Sequence, residues 1–232
     1  MLLKRLLLTA AIVGVPAVTQ AATVPLTFTK LTGITGGAIQ GTAVYRADLS
    51  ALTGTIASIT VEDVSGGFGG ATGQFSGFDL DAVILSTDLI GAAGDVGTLT
   101  PAATLLYTAA VFAPGTQRAP IDPKLFGTNA AGTAVDNPVA TLGAFDGEST
   151  TAIPGADGFV SLGDFGKLSI NLSAALALGG PLYLYIGEVG DNGEVAGSNV
   201  SISDQPVGVP EPAGLLLLGA GLAGLGLARR RR

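Results

Sequence analysis

The chain has 232 residues, 47% of them hydrophobic and 12% charged, with 36 Gly, 12 Pro, no Cys, no His and no Trp. That balance is the reverse of intrinsic disorder, and the length fits one domain of ordinary size with appendages or two very small ones; the net charge of −7 argues against a nucleic-acid surface. Without His or Cys there is no Ser-His-Asp or Cys-His arrangement, no thiol redox pair, and no zinc or haem site of the usual ligand type.

The chain opens MLLKRLLLTAAIVGVPAVTQAA. Lys4 and Arg5 precede an apolar run from Leu6 to Val18, and small residues follow it, with Thr19 and Ala21 placed for cleavage after Ala21. This layout predicts a secretory signal peptide over residues 1–21, serving the Sec route. The run of 13 residues is shorter than the roughly 17–25 that span a bilayer, which argues against a permanent anchor.

From Ala22 to Gly208 the chain holds five basic and 17 acidic side chains, a net charge of −12. Such a surface stays soluble and attracts cations rather than polyanions. Strand-like patterns recur at 24–31, 38–49, 55–64, 74–86, 104–112, 158–163, 167–172, 182–189 and 199–204, separated by Gly-Gly, Asp-Gly and Asp-Asn-Gly turns. SAALALGG at 173–180 reads as one or two helical turns, and 113–138, rich in Pro, Gly and Asn, as a long surface loop. The predicted fold of residues 22–207 is all-β, an antiparallel sandwich or jelly roll.

The candidate chemistry is carboxylate chemistry. Asp79 and Asp81 in FDLDAVILS are two apart, so on a strand they share a face. They form either a solvated strand face, with Phe78, Leu80, Ala82 and Ile84 turned into the core, or part of a calcium site, or an acid/base pair. Glu188, Asp191, Asn192 and Glu194 could likewise gather oxygens for calcium, but Asp-Asn-Gly between strands is first a hairpin turn, and EF-hand spacing is absent. Asp146, Glu148, Asp157 and Asp164 lie in the same acidic half. Tyr183 and Tyr185 share a strand face, either as half-buried aromatics or as a sugar-stacking platform. The glycines of SGGFGGATG lack the lysine and following helix of a phosphate loop.

The chain closes VPEPAGLLLLGAGLAGLGLARRRR, with 16 uncharged residues from Ala213 to Ala228. As a helix these reach roughly 24 Å, short of a hydrocarbon core of about 30 Å, a gap that snorkelling arginines and local thinning cover. The expected element is a short transmembrane helix with its four arginines in the cytoplasm. A buried core helix would show a polar face, and this run has none. Pro210 and Pro212 keep the helix from extending upstream and hold an extended strip beside the membrane.

Val209, Pro210, Glu211 and Pro212, the apolar run to Ala228, and Arg229, Arg230, Arg231 and Arg232 together resemble the PEP-CTERM sorting signal of Gram-negative bacteria. The resemblance covers 208–232. It implies an inner-membrane-anchored precursor, processed near Pro-Glu-Pro by an exosortase-like membrane protease, and delivery to the cell surface or the exopolysaccharide matrix of a biofilm. Such tails also carry an ice-binding-protein C-terminal label, which names the tail and implies no contact with ice. More weakly, FSGFDLDAVILS, DGFVSLGDFGKLSINL and LYIGEVGDNGEVAG resemble the β-sandwich of some PEP-CTERM proteins. The expected function is that of a non-enzymatic surface or matrix protein, with no cofactor beyond calcium on its carboxylates. A carbohydrate-binding module or a glycan hydrolase acting on exopolysaccharide is the alternative.

Overall fold

A computed structural model describes residues 22–37, 40–64, 66, 71–149, 156–194 and 198–208. Among these, ten strands build two five-stranded antiparallel sheets: β1 (Thr23–Pro25), β2 (Thr29–Lys30), β3 (Thr42–Asp48), β4 (Gly54–Asp63), β5 (Asp79–Ser86), β6 (Val111–Ala113), β7 (Val160–Ser161), β8 (Lys167–Leu178), β9 (Tyr183–Val189) and β10 (Ser198–Ser203). The sheets run β1-β10-β4-β8-β6 and β2-β3-β9-β5-β7. With the edge strands β2 and β6 set aside, the sheets run β1-β10-β4-β8 and β3-β9-β5-β7, and successive strands alternate between them except β5 and β7, which pair in the second sheet. That is the eight-stranded double Greek key of a jelly roll.

Period-two patterning drives this arrangement. In β8, Leu168, Ile170 and Leu172 join the core while Lys167, Ser169 and Asn171 alternate with them. From the facing sheet come Ala43, Tyr45 and Ala47 of β3 and Leu184 and Ile186 of β9. Each fully buried Leu or Ile contributes roughly 1.5–3 kcal/mol. The second sheet is also covered on its outer face. Val44 and Tyr185 pack there with Leu31, Ile90 and Ala93, and Val189 packs with Ala156 and Phe159. Hence all eight residues of β5 are buried, where a half-exposed strand would alternate.

Four local expectations are corrected. Residues 173–178 extend β8 and pair with the start of β4, although Ala and Leu favour helix; strand pairing overrides propensity. The pairing is irregular there, with Ile56 to Ser58 facing Leu176 to Asn171. The stretch 24–31 divides into β1 and β2, one in each sheet. The stretch 104–112 is a 3-10 turn at Tyr107–Ala109 followed by the short β6. The segment 113–138 buries Leu125 and Thr128, and its Phe126 stacks on Phe159 with ring centroids 4.5 Å apart, so it is a cover for the sheet. No helix among the described residues is long and apolar enough to cross a membrane, and the apolar run 213–228 lies outside them, as do the signal peptide and the PEP motif residues Val209 to Pro212 with Arg229 to Arg232.

Candidate functional site

The β4–β5, β7–β8 and β9–β10 connections meet at one end of the jelly roll. They bring together Asp63 at the end of β4, Asp79 at the start of β5, Glu188 near the end of β9, and Glu194 beyond it. All four side chains are buried. The stretches FSGFDLDAVILS and DGFVSLGDFGKLSINL, with residues 184–194, converge here. Backbone donors bind them: the Asn192 and Glu194 amides donate to Glu188 Oε1 at 3.0 and 3.3 Å, and the Asp79 amide to Glu194 Oε2 at 3.4 Å. Ser161 donates its hydroxyl to Asp79, and Tyr45 donates to Glu188 Oε2 at 3.2 Å.

Arg118 supplies the positive charge. Its guanidinium is bidentate on Asp164, with Nε at 2.9 Å and Nη2 at 2.7 Å from Oδ1, and Nη2 lies 3.9 Å from Glu194 Oε1. Gly77, at φ +73°, lets two connections meet: a Cβ there would lie 2.3 Å from the Gly163 backbone and 2.7 Å from Asp63 Oδ2.

Burial dominates the electrostatics. It pushes the Asp79 carboxyl well above the ordinary carboxylate range, against the Ser161 hydrogen bond. It pushes Glu194 up to about 9, helped by the charges of Asp79 and Glu188. Glu188 is raised by the same desolvation, opposed by the Asn192 and Glu194 amides. Glu194 therefore keeps its proton at neutral pH, and hydrogen-bonded acidic side chains with one guanidinium close this end of the fold.

Asp81 stands apart from the cluster. Leu80 pairs with Glu188 and Val83 with Ile186, so one extra residue bulges β5 at Asp81–Ala82. Past this bulge Val83 and Leu85 fill the main core rather than Ala82 and Ile84. The solvated-face reading of Asp79 and Asp81 is thus overturned: the two are 3% and 0% exposed. Thr42 donates its hydroxyl to Asp81 Oδ2, and the Gly147 and Asp146 amides donate to Oδ1 at 3.1 and 3.3 Å. Burial, reinforced by Asp146, raises this carboxyl to about 7, with Thr42 opposing.

Asp191 lies at the surface in a left-handed conformation (φ 49°) and pairs with Lys30, consistent with the Asp-Asn-Gly turn. Asp146, Glu148, Asp157 and Asp164 do not form one cluster. Thr141 donates to Asp146, Glu148 and Asp157 pair through their backbones, and Asp164 holds Arg118. Among the described residues, no group of three or more carboxylates is arranged to hold a metal ion. Tyr183 and Tyr185 have ring centroids 6.5 Å apart, but Tyr185 is buried, accepts from the Ile90 amide and donates to the Asp88 carbonyl. They offer no open stacking platform. Asp63, Arg118 and Ser161 carry no sequence signal of their own, although Arg118 is one of only five basic residues in the body.

A second feature lies on the outer face of the first sheet. Beyond β10 the chain crosses the strands toward β6. The Ser58 hydroxyl of β4 donates to the Gln205 carbonyl at 2.8 Å. Asn171 of β8 grips Val207 twice, donating Nδ2–H to its carbonyl and accepting its amide at Oδ1, each at 2.8 Å. Gly208 follows at φ +72°, where a Cβ would come within 2.8 Å of Val111 in β6.

Residues 208–232 match the family model described as the PEP-CTERM protein-sorting motif. The match lies on the tail, and it implies an exported protein whose membrane-anchored precursor is processed by an exosortase. No curated protein and no solved structure matches the chain.

Proposed function

We propose that the protein is a non-enzymatic component of the cell surface or exopolysaccharide matrix, exported by the Sec route and released from its membrane anchor by an exosortase-like protease. The observation that carries this reading is the sorting motif at 208–232, separated by four residues from the end of β10. Support for a structural or binding role comes from the acidic cluster, whose carboxyls are bound by backbone amides, Ser161 and Tyr45 rather than lining an open cleft. The body's charge of −12 gathers hydrated calcium or magnesium loosely over the surface, with no cofactor in a discrete site.

Fractionation of the native host tests the reading. A full-length precursor is expected in the inner membrane and a shortened form at the surface. Recovery of the intact tail on the mature extracellular protein would refute it. A glycan array of the purified protein addresses the alternative, since saturable binding of one polysaccharide, or its turnover, would replace the structural role.

A further inference from the structure

We infer that Asn171 is a positioning residue for tail processing: with Ser58 it docks residues 205–207 across the first sheet and presents the sorting motif at the β6 edge. The inference rests on the exosortase processing proposed above and adds to it a specific geometry.

A tail that simply followed β10 would leave the fold beside β1 and β4. Instead the chain turns and runs over β4 and β8, fixed at two carbonyls and one amide by side chains of those strands. The paired bonds of Asn171 imitate a backbone bridge, because its amide sets an N–H donor beside a carbonyl acceptor and uses both on Val207. Ser58 is fully buried beneath this crossing. Both side chains alternate outward from core residues, so neither is needed to fill the interior.

The consequence for processing is one of reach. Only Gly208 to Pro212 separate Val207 from the apolar run that starts at Ala213, and five residues span at most about 18 Å. While the tail is in the membrane, the β6 edge of the body is thus held close to the bilayer, and the cleavage segment emerges from a fixed point. Releasing the dock frees several residues, and their ordering must then be achieved on the protease.

The test compares full-length wild type, N171A and S58A in the native host by pulse-chase, alongside hydrogen exchange of the Val207 amide in the purified full-length proteins. The Val207 amide is expected to be protected in wild type and to lose protection in N171A, with the thermal transition of the body unchanged. The shortened form should appear roughly three- to tenfold more slowly in N171A, and in S58A to a smaller degree. Inserting Gly-Ser-Gly-Ser between Gly208 and Val209, with Asn171 intact, should reproduce the slowing. Equal processing of wild type and N171A despite lost protection would overturn the inference, as would rapid exchange of Val207 in wild type. An insertion without effect would also overturn it, since Asn171 would then act through folding alone. Absence of any shortened form in wild type would instead sink the processing reading beneath it.

Discussion

The amide nitrogen of Ala22 donates to Asp204 Oδ1 at 3.0 Å, and the Asp204 amide faces the Ala22 carbonyl at 3.4 Å. Ala22 is the first residue after the expected signal cleavage, and Asp204 is the last before the chain turns across the sheet. Cleavage after Ala21 replaces a neutral amide with an ammonium at this position, making the bond charge-assisted. Asp204→Asn should therefore lower the Tm of protein beginning at Ala22, by about 2–4 °C at most for a partly exposed pair worth under about 1 kcal/mol. The effect should shrink in 1 M salt and in protein carrying extra residues before Ala22. Thermal melts of the four combinations decide this, and equal losses with and without the leading residues would contradict it.

Arg118 is the positive group among the buried acids at the other end of the fold. Arg118→Met leaves Asp164 without its bidentate partner and removes the nearest cation from Glu194. Breaking a largely buried pair from one side costs about 3–5 kcal/mol. Denaturant titration should register a loss of that order. The double change Arg118→Met with Asp164→Leu should recover part of it, because Asp164 is then not left as an uncompensated charge.

The pH dependence follows from the raised carboxyls. Asp81 is lifted to about 7 and Glu194 to about 9, whereas the unfolded chain releases these protons near the ordinary carboxylate value of about 4. Between those limits the folded state binds more protons than the unfolded one, so their stabilisation is complete below about pH 4 and fades as pH rises toward 7 and then 9. The melting temperature should fall from pH 5 to pH 9. Asp81→Asn should lessen the slope only below about pH 7, whereas Glu194→Gln should lessen it over the whole range and flatten the part between about pH 7 and 9. Asp48 and Asp88 act in the opposite sense: held low by hydrogen bonds, they stabilise above about pH 4 and lose that contribution in stronger acid. A melting temperature that climbs steadily from pH 5 to 9 would contradict this assignment.

Loose cation attraction has its own signature. At pH 8, calcium and magnesium at millimolar concentration should raise the Tm by similar small amounts, corresponding to under about 1 kcal/mol. A calcium-selective rise that saturates at micromolar concentration would require a discrete site instead. Chelator titration distinguishes the two.

The jelly roll was legible in the sequence because its core strands are period-two patterns bounded by turn residues, as in KLSINL and LYLYIGEV. The bulge at Asp81–Ala82 was not, since one extra residue leaves local patterning intact while reversing which side chains face the core beyond it. Asp79 and Asp81 read as a solvated face because Phe78 and Leu80 beside them do face the core. What buries them is the cover formed by distant loops, with Ser161 and Gly147 as partners. Glu188 and Glu194 were legible as an acidic group, but not as a buried one. Asn171 gave no signal at all, because its role depends on a chain segment 36 residues away crossing the strand that holds it.

The crossing of Gln205 to Gly208 also sets how the body answers a pull. Traction on the membrane-held tail arrives at the Asn171 side chain first and passes to Ser58 next, so the load is shared with β8 and β4 before it can peel β10 from its neighbours. In the docking inferred above, these bonds would act as strain relief, keeping the last strand seated while the tether is under tension.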